Sequence, residues 1–126
     1  MPLTFYPRAG VVLMCDFEGY VAPEMVKKRP VIVVSPRHLE RSGLHTVVPM
    51  STTPPNEARP YHLRLTKNPM PNSLGDVWVK CDMVATVRTE RLDRIKVSRG
   101  NYVTTAVTPE ELSAIRQCLK YVLGIT

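Results

Sequence analysis

Proline and glycine divide this chain into short runs. Twelve prolines and six glycines are spread over 126 residues. Proline fixes φ and lacks a backbone donor, so it disfavours the interior of a strand or helix and favours turns and element ends. The runs left between the breaks are apolar and β-branched: 10–17 (GVVLMCDF), 30–35 (PVIVVS), 44–50 (LHTVVPM), 61–65 (YHLRL) and 76–87 (DVWVKCDMVATV). Each predicts a strand, the last a long one. The run 30–35 is apolar on both faces and is expected to be central. Residues 18–28, with Gly19 and Pro23, read as a loop. So do 51–57 (STTPPNE), stiffened by proline, and 67–75. Segment 36–43 is expected to be a connection with a single helical turn, 88–95 another such turn, and 102–106 a short closing strand. The C-terminal segment differs. Thr108-Pro109-Glu110-Glu111 is a capping box with proline at the first helical position. Leu112, Ile115, Leu119 and Val122 follow at helical spacing, and Gly124 supplies a stop. Short strands followed by one helix predict a β-rich fold, mainly β with α, and a small barrel over a sandwich.

The length predicts one domain, residues 1–126, able to bury about two thirds of its unfolded surface. A formal charge of +6 and a pI near 9.5 point to an anionic partner: nucleic acid, an acidic protein or a membrane surface. Aromatics, at 6%, are too few for rows of stacked bases. Cys15, Cys81 and Cys118 are odd in number and widely spaced, so no disulfide framework or zinc clip is predicted, and a reducing cytosol is expected. Residues 10–15 have the outline of a lipoprotein signal. The apolar stretch is too short, its basic flank is Arg8 alone, and Asp16 follows directly, so a strand is predicted. No stretch reaches transmembrane length, and no membrane partner is expected. His38, His45 and His62 are scattered, without metal-ligand spacing. There is no phosphate loop, nucleophile elbow or zinc motif.

Three places could carry chemistry. Lys27-Lys28-Arg29 brings three cations to the start of an apolar strand. Arg29-Pro30 imposes an extended backbone at the arginine, whose planar fork matches two phosphate oxygens. An ordinary surface arginine paired with a carboxylate is the plainer reading. Ser51-Thr52-Thr53 ends the third predicted strand, where hydroxyls bind phosphate oxygens or cap a turn. Lys80-Cys81-Asp82 lies inside an apolar run. Strand alternation places Lys80 and Asp82 on one face, as a salt bridge or an acid–base pair, with Cys81 opposite.

The ordered set of these stretches resembles the MazF/PemK toxin family over residues 10–125. It comprises GVVLMCDF, Glu24 ahead of KKRPVIVVSPR, VVPMSTT, VWVKCDMVATV followed by RLDRI, and the helix PEELSAIRQCLKYVLG. The resemblance implies a small SH3-like β-barrel of the MazF/PemK/CcdB type with a C-terminal helix, forming a cytoplasmic homodimer. It implies sequence-specific cleavage of single-stranded RNA without metal or cofactor. The 2′-hydroxyl attacks the adjacent phosphate, leaving 2′,3′-cyclic phosphate and 5′-hydroxyl ends. It also implies a cognate antitoxin whose acidic C-terminal tail covers the basic groove. By the same resemblance Arg29 is the catalytic arginine, Ser51 stands at the catalytic threonine position and Thr52 at the next hydroxyl, with Thr53 beside them. Asp82 is the general base and Lys80, replacing an arginine, the general acid. Glu24 orients Arg29, and Lys27 and Lys28 hold flanking phosphates. The sequence departs from the family at Pro23 and Met25 around Glu24, at Lys27 in place of a loop glycine, at Met83 and Ala85 after Asp82, and in the proline-rich STTPPNEARP.

Two alternatives stay open. A gyrase-poisoning toxin of the same fold depends on a Trp-Gly-Ile C-terminus. This sequence ends Leu123-Gly124-Ile125-Thr126 and keeps Arg29-Pro30. A binding-only remnant would keep fold and charge without cleavage.

Overall fold

The computed structural model describes residues 3–37, 43–71 and 73–126. Its strands are β1 (Val11–Asp16), β2 (Lys28–Val33), β3 (Leu44–Ser51), β4 (His62–Leu65), β5 (Val77–Lys80), β6 (Ala85–Arg88), β7 (Leu92–Asp93), β8 (Ile95–Ser98), β9 (Asn101–Val103) and β10 (Thr105–Ala106), followed by helix α1 (Pro109–Leu123). The main sheet runs β10-β1-β2-β3-β5-β4, with β6 also beside β3 and β7 beside β1, while β8 and β9 form a separate hairpin. All pairings are antiparallel. The path is open from β10 to β4, so this curled sheet is not hydrogen-bonded into a closed barrel.

The expected second strand is central, between β1 and β3, and starts earlier than its apolar run. Lys28 pairs with Asp16 and Arg29 with Cys15, so two of the three cations belong to the ladder and not to the loop before it. The long strand expected over 76–87 is broken. β5 ends at Lys80, a 3₁₀ turn occupies Cys81–Met83, and β6 resumes at Ala85. The reason lies in β3. Its end pairs with β5 (Met50↔Val79, Ser51↔Trp78), whereas its first half pairs with β6 (Leu44↔Arg88 to Val47↔Ala85). These registers are offset by the three residues of the turn. The change falls at Val48–Pro49, where proline has no N–H to offer a ladder. The helical turn expected over 88–95 shrinks to Thr89–Arg91 before β7 begins. The closing strand expected over 102–106 is divided between β9, which pairs with β8, and β10, which closes onto β1 through Val11↔Ala106. Most of the connection expected over 36–43, and His38, lie outside the described residues.

Strand alternation gives the sheet two apolar faces. One carries Val12, Ile32, Val48, Met50, Val79 and Cys81 and packs under Ile115 of α1. The other carries Leu13, Cys15, Val31, Val33 and Val47 and packs with Phe17, Met25 and Leu92. Helix α1 follows its local code. Thr108 Oγ1 accepts from the Glu111 N–H at 3.1 Å, Glu111 Oε1 accepts from the Thr108 N–H at 2.8 Å, and Gly124 ends the helix at φ 70°. Among the described residues no helix is long and apolar enough to cross a membrane.

Candidate active site

The strand registers assemble the site. β2 and β3 pair as Val31↔Pro49, Ile32↔Val48 and Val33↔Val47. Two steps further along the same register bring Arg29 abreast of Ser51. By alternation Arg29 shares a face with Val31 and Val33, and Ser51 with Val47 and Pro49, so both stand at the open end of the face turned away from α1. β5 pairs with β3 through Met50↔Val79, and the next step brings Lys80 abreast of Pro49. Arg29, Ser51 and Lys80 accordingly line one cleft of about 230 Å³, together with Glu24 and an apolar wall of Met25, Val26, Met50 and Met83. Met25 is 9% exposed and roots the 18–28 loop in the core, which brings Glu24 to the cleft's edge.

The electrostatics of the cleft are unbalanced. It holds two cations, Arg29 and Lys80, and one carboxylate, Glu24. Glu24 Oε1 accepts from the Val21 N–H at 3.0 Å, which engages the carboxylate within its own loop. Among the described residues neither Arg29 nor Lys80 has an ion-pair or side-chain hydrogen-bond partner. Among the described residues, the plainer reading of Arg29, a surface arginine paired with a carboxylate, finds no such carboxylate. Ser51 Oγ accepts from the Thr53 N–H at 3.1 Å, leaving its own O–H free to donate.

Other residues singled out in the sequence fall elsewhere. Asp82 does not line the cleft. Because the chain leaves strand geometry at Cys81, Lys80 and Asp82 do not share a strand face and form no ion pair. Asp82 is 41% exposed and lies 3.8 Å from His62 Nε2. Thr52 and Thr53 are exposed beyond the end of β3, and Lys27 is exposed on the loop; none of them lines the cleft. Lys28, one residue out of step with Arg29, faces the other side of the sheet. It lines a separate cavity of about 760 Å³ with Asp16, Arg91 and Arg94.

Sequence reading set His62 aside as one of three scattered histidines. The structure pairs it with Lys80 across β4 and β5, packs its ring against Tyr61 at 4.6 Å, and leaves its Nδ1 buried without a hydrogen-bond partner. No local signal marks it, since its neighbours depend on how β4 meets β5. Cys81, between Lys80 and Asp82, is pushed up to about 12, chiefly by burial and then by Cys118 and Asp82. It stays a thiol at neutral pH and is no nucleophile there.

Residues 8–123 match the family of PemK-like, MazF-like toxins of type II toxin–antitoxin systems. The chain belongs to this family. It is 30% identical over 137 residues to the uncharacterized protein YifN of Escherichia coli (strain K12), covering 90% of this chain and 89% of that one. Among solved structures it resembles MazF from Deinococcus radiodurans, with a TM-score of 0.72 at 20% identity, covering 96% of this chain and 99% of that one. It also resembles an endoribonuclease from a mycobacterial species, with a TM-score of 0.63 at 22% identity, covering 94% and 92%. A chain of the Deinococcus radiodurans MazE–MazF complex gives 0.67 at 19% identity, covering 97% and 99%. At these identities the structural likeness establishes the fold: a MazF-like, mostly β sheet with one C-terminal helix.

Proposed function

We propose that this PemK/MazF-family toxin is a sequence-specific endoribonuclease that cuts single-stranded RNA without a metal. The observation that carries the reading is the convergence of Arg29, Ser51 and Lys80 on one cleft, with neither cation paired among the described residues. An unpaired guanidinium in a recess is poised for an anion, and here the anion is the scissile phosphate. As the 2′-hydroxyl attacks, charge grows on the two non-bridging oxygens. The Arg29 fork and the Ser51 O–H meet that charge from fixed positions, where preorganised donors contribute most. Lys80 protonates the departing 5′-oxygen. Asp82, on the turn just past Lys80, takes the 2′-hydroxyl proton from RNA laid across the cleft's edge. The products are a 2′,3′-cyclic phosphate and a 5′-hydroxyl. Lys27, with the hydroxyls of Thr52 and Thr53, holds flanking phosphates, giving affinity without base selection. Lys28, on the other face, is not part of this contact. Glu24 limits how an anion enters beside Arg29. A cognate antitoxin with an acidic C-terminal tail competes with RNA for the same two cations, and the active species is a cytoplasmic homodimer.

One observation favours a rival. Asp82 stands outside the cleft, as a binding-only protein of this fold would allow. The deciding experiment incubates purified protein with a long single-stranded RNA in EDTA, beside an Arg29→Ala control, and maps the product ends. Discrete cuts with cyclic phosphate and 5′-hydroxyl termini, absent from the control, are expected. Retained RNA binding with intact RNA would instead establish the binding-only reading.

A further inference from the structure

The cavity of about 760 Å³ on the other side of the sheet takes no part in the chemistry of the cleft. One wall is the sheet. By alternation β1 presents Met14 and Asp16 there, on the face that carries α1, and Lys28 stands opposite Asp16 on β2. The other wall is the β8–β9 hairpin. Lys96 and Tyr102 are partners across its two strands, so their side chains stand side by side. Arg94, two residues before Lys96, lies over the Tyr102 ring, with its Cζ 5.0 Å from the centroid. Met70 and Ile95 extend the apolar floor begun by Met14.

The charges of this cavity fall into two groups. The carboxylates are engaged. Asp16 Oδ1 accepts from the Glu18 N–H at 2.9 Å, Glu90 Oε1 lies 3.3 Å from Arg88 Nε, and Asp93 Oδ1 accepts from the Arg94 N–H at 2.7 Å. Arg91 serves the fold: its Nη1 donates to the carbonyl oxygens of Asp16 at 2.9 Å and Glu18 at 2.8 Å. The side chains of Lys28, Arg94 and Lys96 have no carboxylate partner among the described residues, although Lys28 faces Asp16 in the ladder.

We propose that this cavity is a nucleotide-binding site, distinct from the cleft, in which Lys28, Arg94 and Lys96 hold a phosphate and the Tyr102–Arg94 pair stacks a base. The volume lies within the ~300–1,000 Å³ of small-ligand sites and far exceeds a bare phosphate. The surplus is lined by methionine, isoleucine and one aromatic ring, which suit the flat, weakly polar faces of a base. Tyrosine rings and guanidinium planes both carry stacked bases. Asp16 has a second oxygen to accept from an amino group on the base edge. A polyacidic peptide fits less well, because its carboxylates would meet Asp16, Glu90 and Asp93 and it brings no ring. Two sources supply the nucleotide chemistry: a free mononucleotide, or one residue of an RNA strand. The site itself does not rest on the nuclease reading. Its use by RNA does, as an extension of the substrate contact to a second face of the sheet.

The test is calorimetry on the full chain carrying Arg29→Ala, so that the cleft contributes little. The probes are 5′-mononucleotides, inorganic phosphate at matched ionic strength, and a short 2′-O-methylated RNA, which cannot be cut because its attacking hydroxyl is blocked. Saturable binding of a mononucleotide or of the RNA is expected, weakened about 10-fold by adding Tyr102→Ala or Lys96→Ala. Tyr102→Phe, which keeps the ring, should bind as before, and melting temperatures separate a lost contact from a lost fold. On the unsubstituted chain an azidoadenine nucleotide photolabel should mark the peptide that carries Tyr102. Binding of the mononucleotide identifies a free ligand, and binding of the RNA alone identifies a strand; either supports the site. No saturable binding of either, phosphate bound as tightly as the nucleotide, affinity indifferent to Tyr102→Ala and Lys96→Ala, or a label confined to the cleft would each overturn it. Because no probe is cleaved, the result reads the cavity whether or not the chain cuts RNA. Arg29-dependent cutting with an empty cavity would remove this proposal alone.

Discussion

Arg29 combines a fixed backbone with a free side chain. Its backbone is pinned opposite Cys15 in the β1–β2 ladder, and Pro30 holds it extended, yet its guanidinium has no partner among the described residues. A residue so placed contributes little to folding and much to an anion. Arg29→Ala is expected to lower kcat/KM for RNA cleavage by about 10²–10³-fold while moving stability by no more than about 0.5 kcal/mol. Cleavage kinetics beside urea unfolding check both halves; a large loss of stability would make Arg29 a structural residue. Arg29→Lys should recover only part of the activity, because an ammonium cannot present the fork. Lys80 has its own test. If it protonates the leaving 5′-oxygen, Lys80→Ala slows cleavage of normal RNA by about 10²–10⁴-fold. It should slow far less the cleavage of RNA with sulfur at the 5′-bridging position, since a thiolate leaves without protonation. Equal losses on both substrates would remove Lys80 as the acid.

At the scale of elements, the sequence is legible where structure is local. Every signal for α1 lies within it or at its ends: the Thr108–Glu111 box, Pro109, the stripe through Ile115 and Gly124 at φ 70°. Thr108→Ala leaves the Glu111 N–H unpaired and is expected to cost about 1 kcal/mol. Ile115→Ala opens a cavity under the helix and is expected to cost about 2–5 kcal/mol. Urea midpoints rank the two, and the reverse order would mean that α1 is held by its cap and not by its stripe. The break in 76–87 was not legible. No proline or glycine interrupts that run, and the turn at Cys81–Met83 exists because β3 pairs with β5 and β6 in different registers. The same non-local cause moves Asp82 out of the cleft, and the pairing of β4 with β5 brings His62 toward Asp82, whereas Lys28 faces away simply because it is one residue out of step with Arg29 on β2. Arg29, Ser51 and Lys80 could be picked out one by one from their types and neighbours. That they share one face follows only from strand registers that the sequence does not print.

For the whole molecule, stability should peak between two titrations that burial has moved apart. His45 is 2% exposed, with Nε2 3.0 Å from Thr89 Oγ1 and Nδ1 unpaired, and burial lowers it from 6.5. In the folded chain it resists charging, whereas the unfolded chain takes up the proton. The stability it contributes is complete above pH 6.5 and is lost as pH falls through its lowered folded value. On the alkaline side burial raises Cys15 and Cys81 from 9.0 to about 12. Their contribution is complete below pH 9.0 and is lost between there and about 12, as the unfolded chain ionises its thiols first. Urea midpoints from pH 5 to pH 11 should therefore form a plateau with a fall at each end. Cys15→Ala is expected to lower the plateau, because it removes a buried side chain, and to make the alkaline fall shallower. An unchanged alkaline slope in that variant would assign the fall to other groups. The plateau bears on the nuclease test as well. Cleavage measured between pH 6.5 and 9.0 reads the chemistry of the cleft, whereas loss of cleavage beyond either edge also contains unfolding.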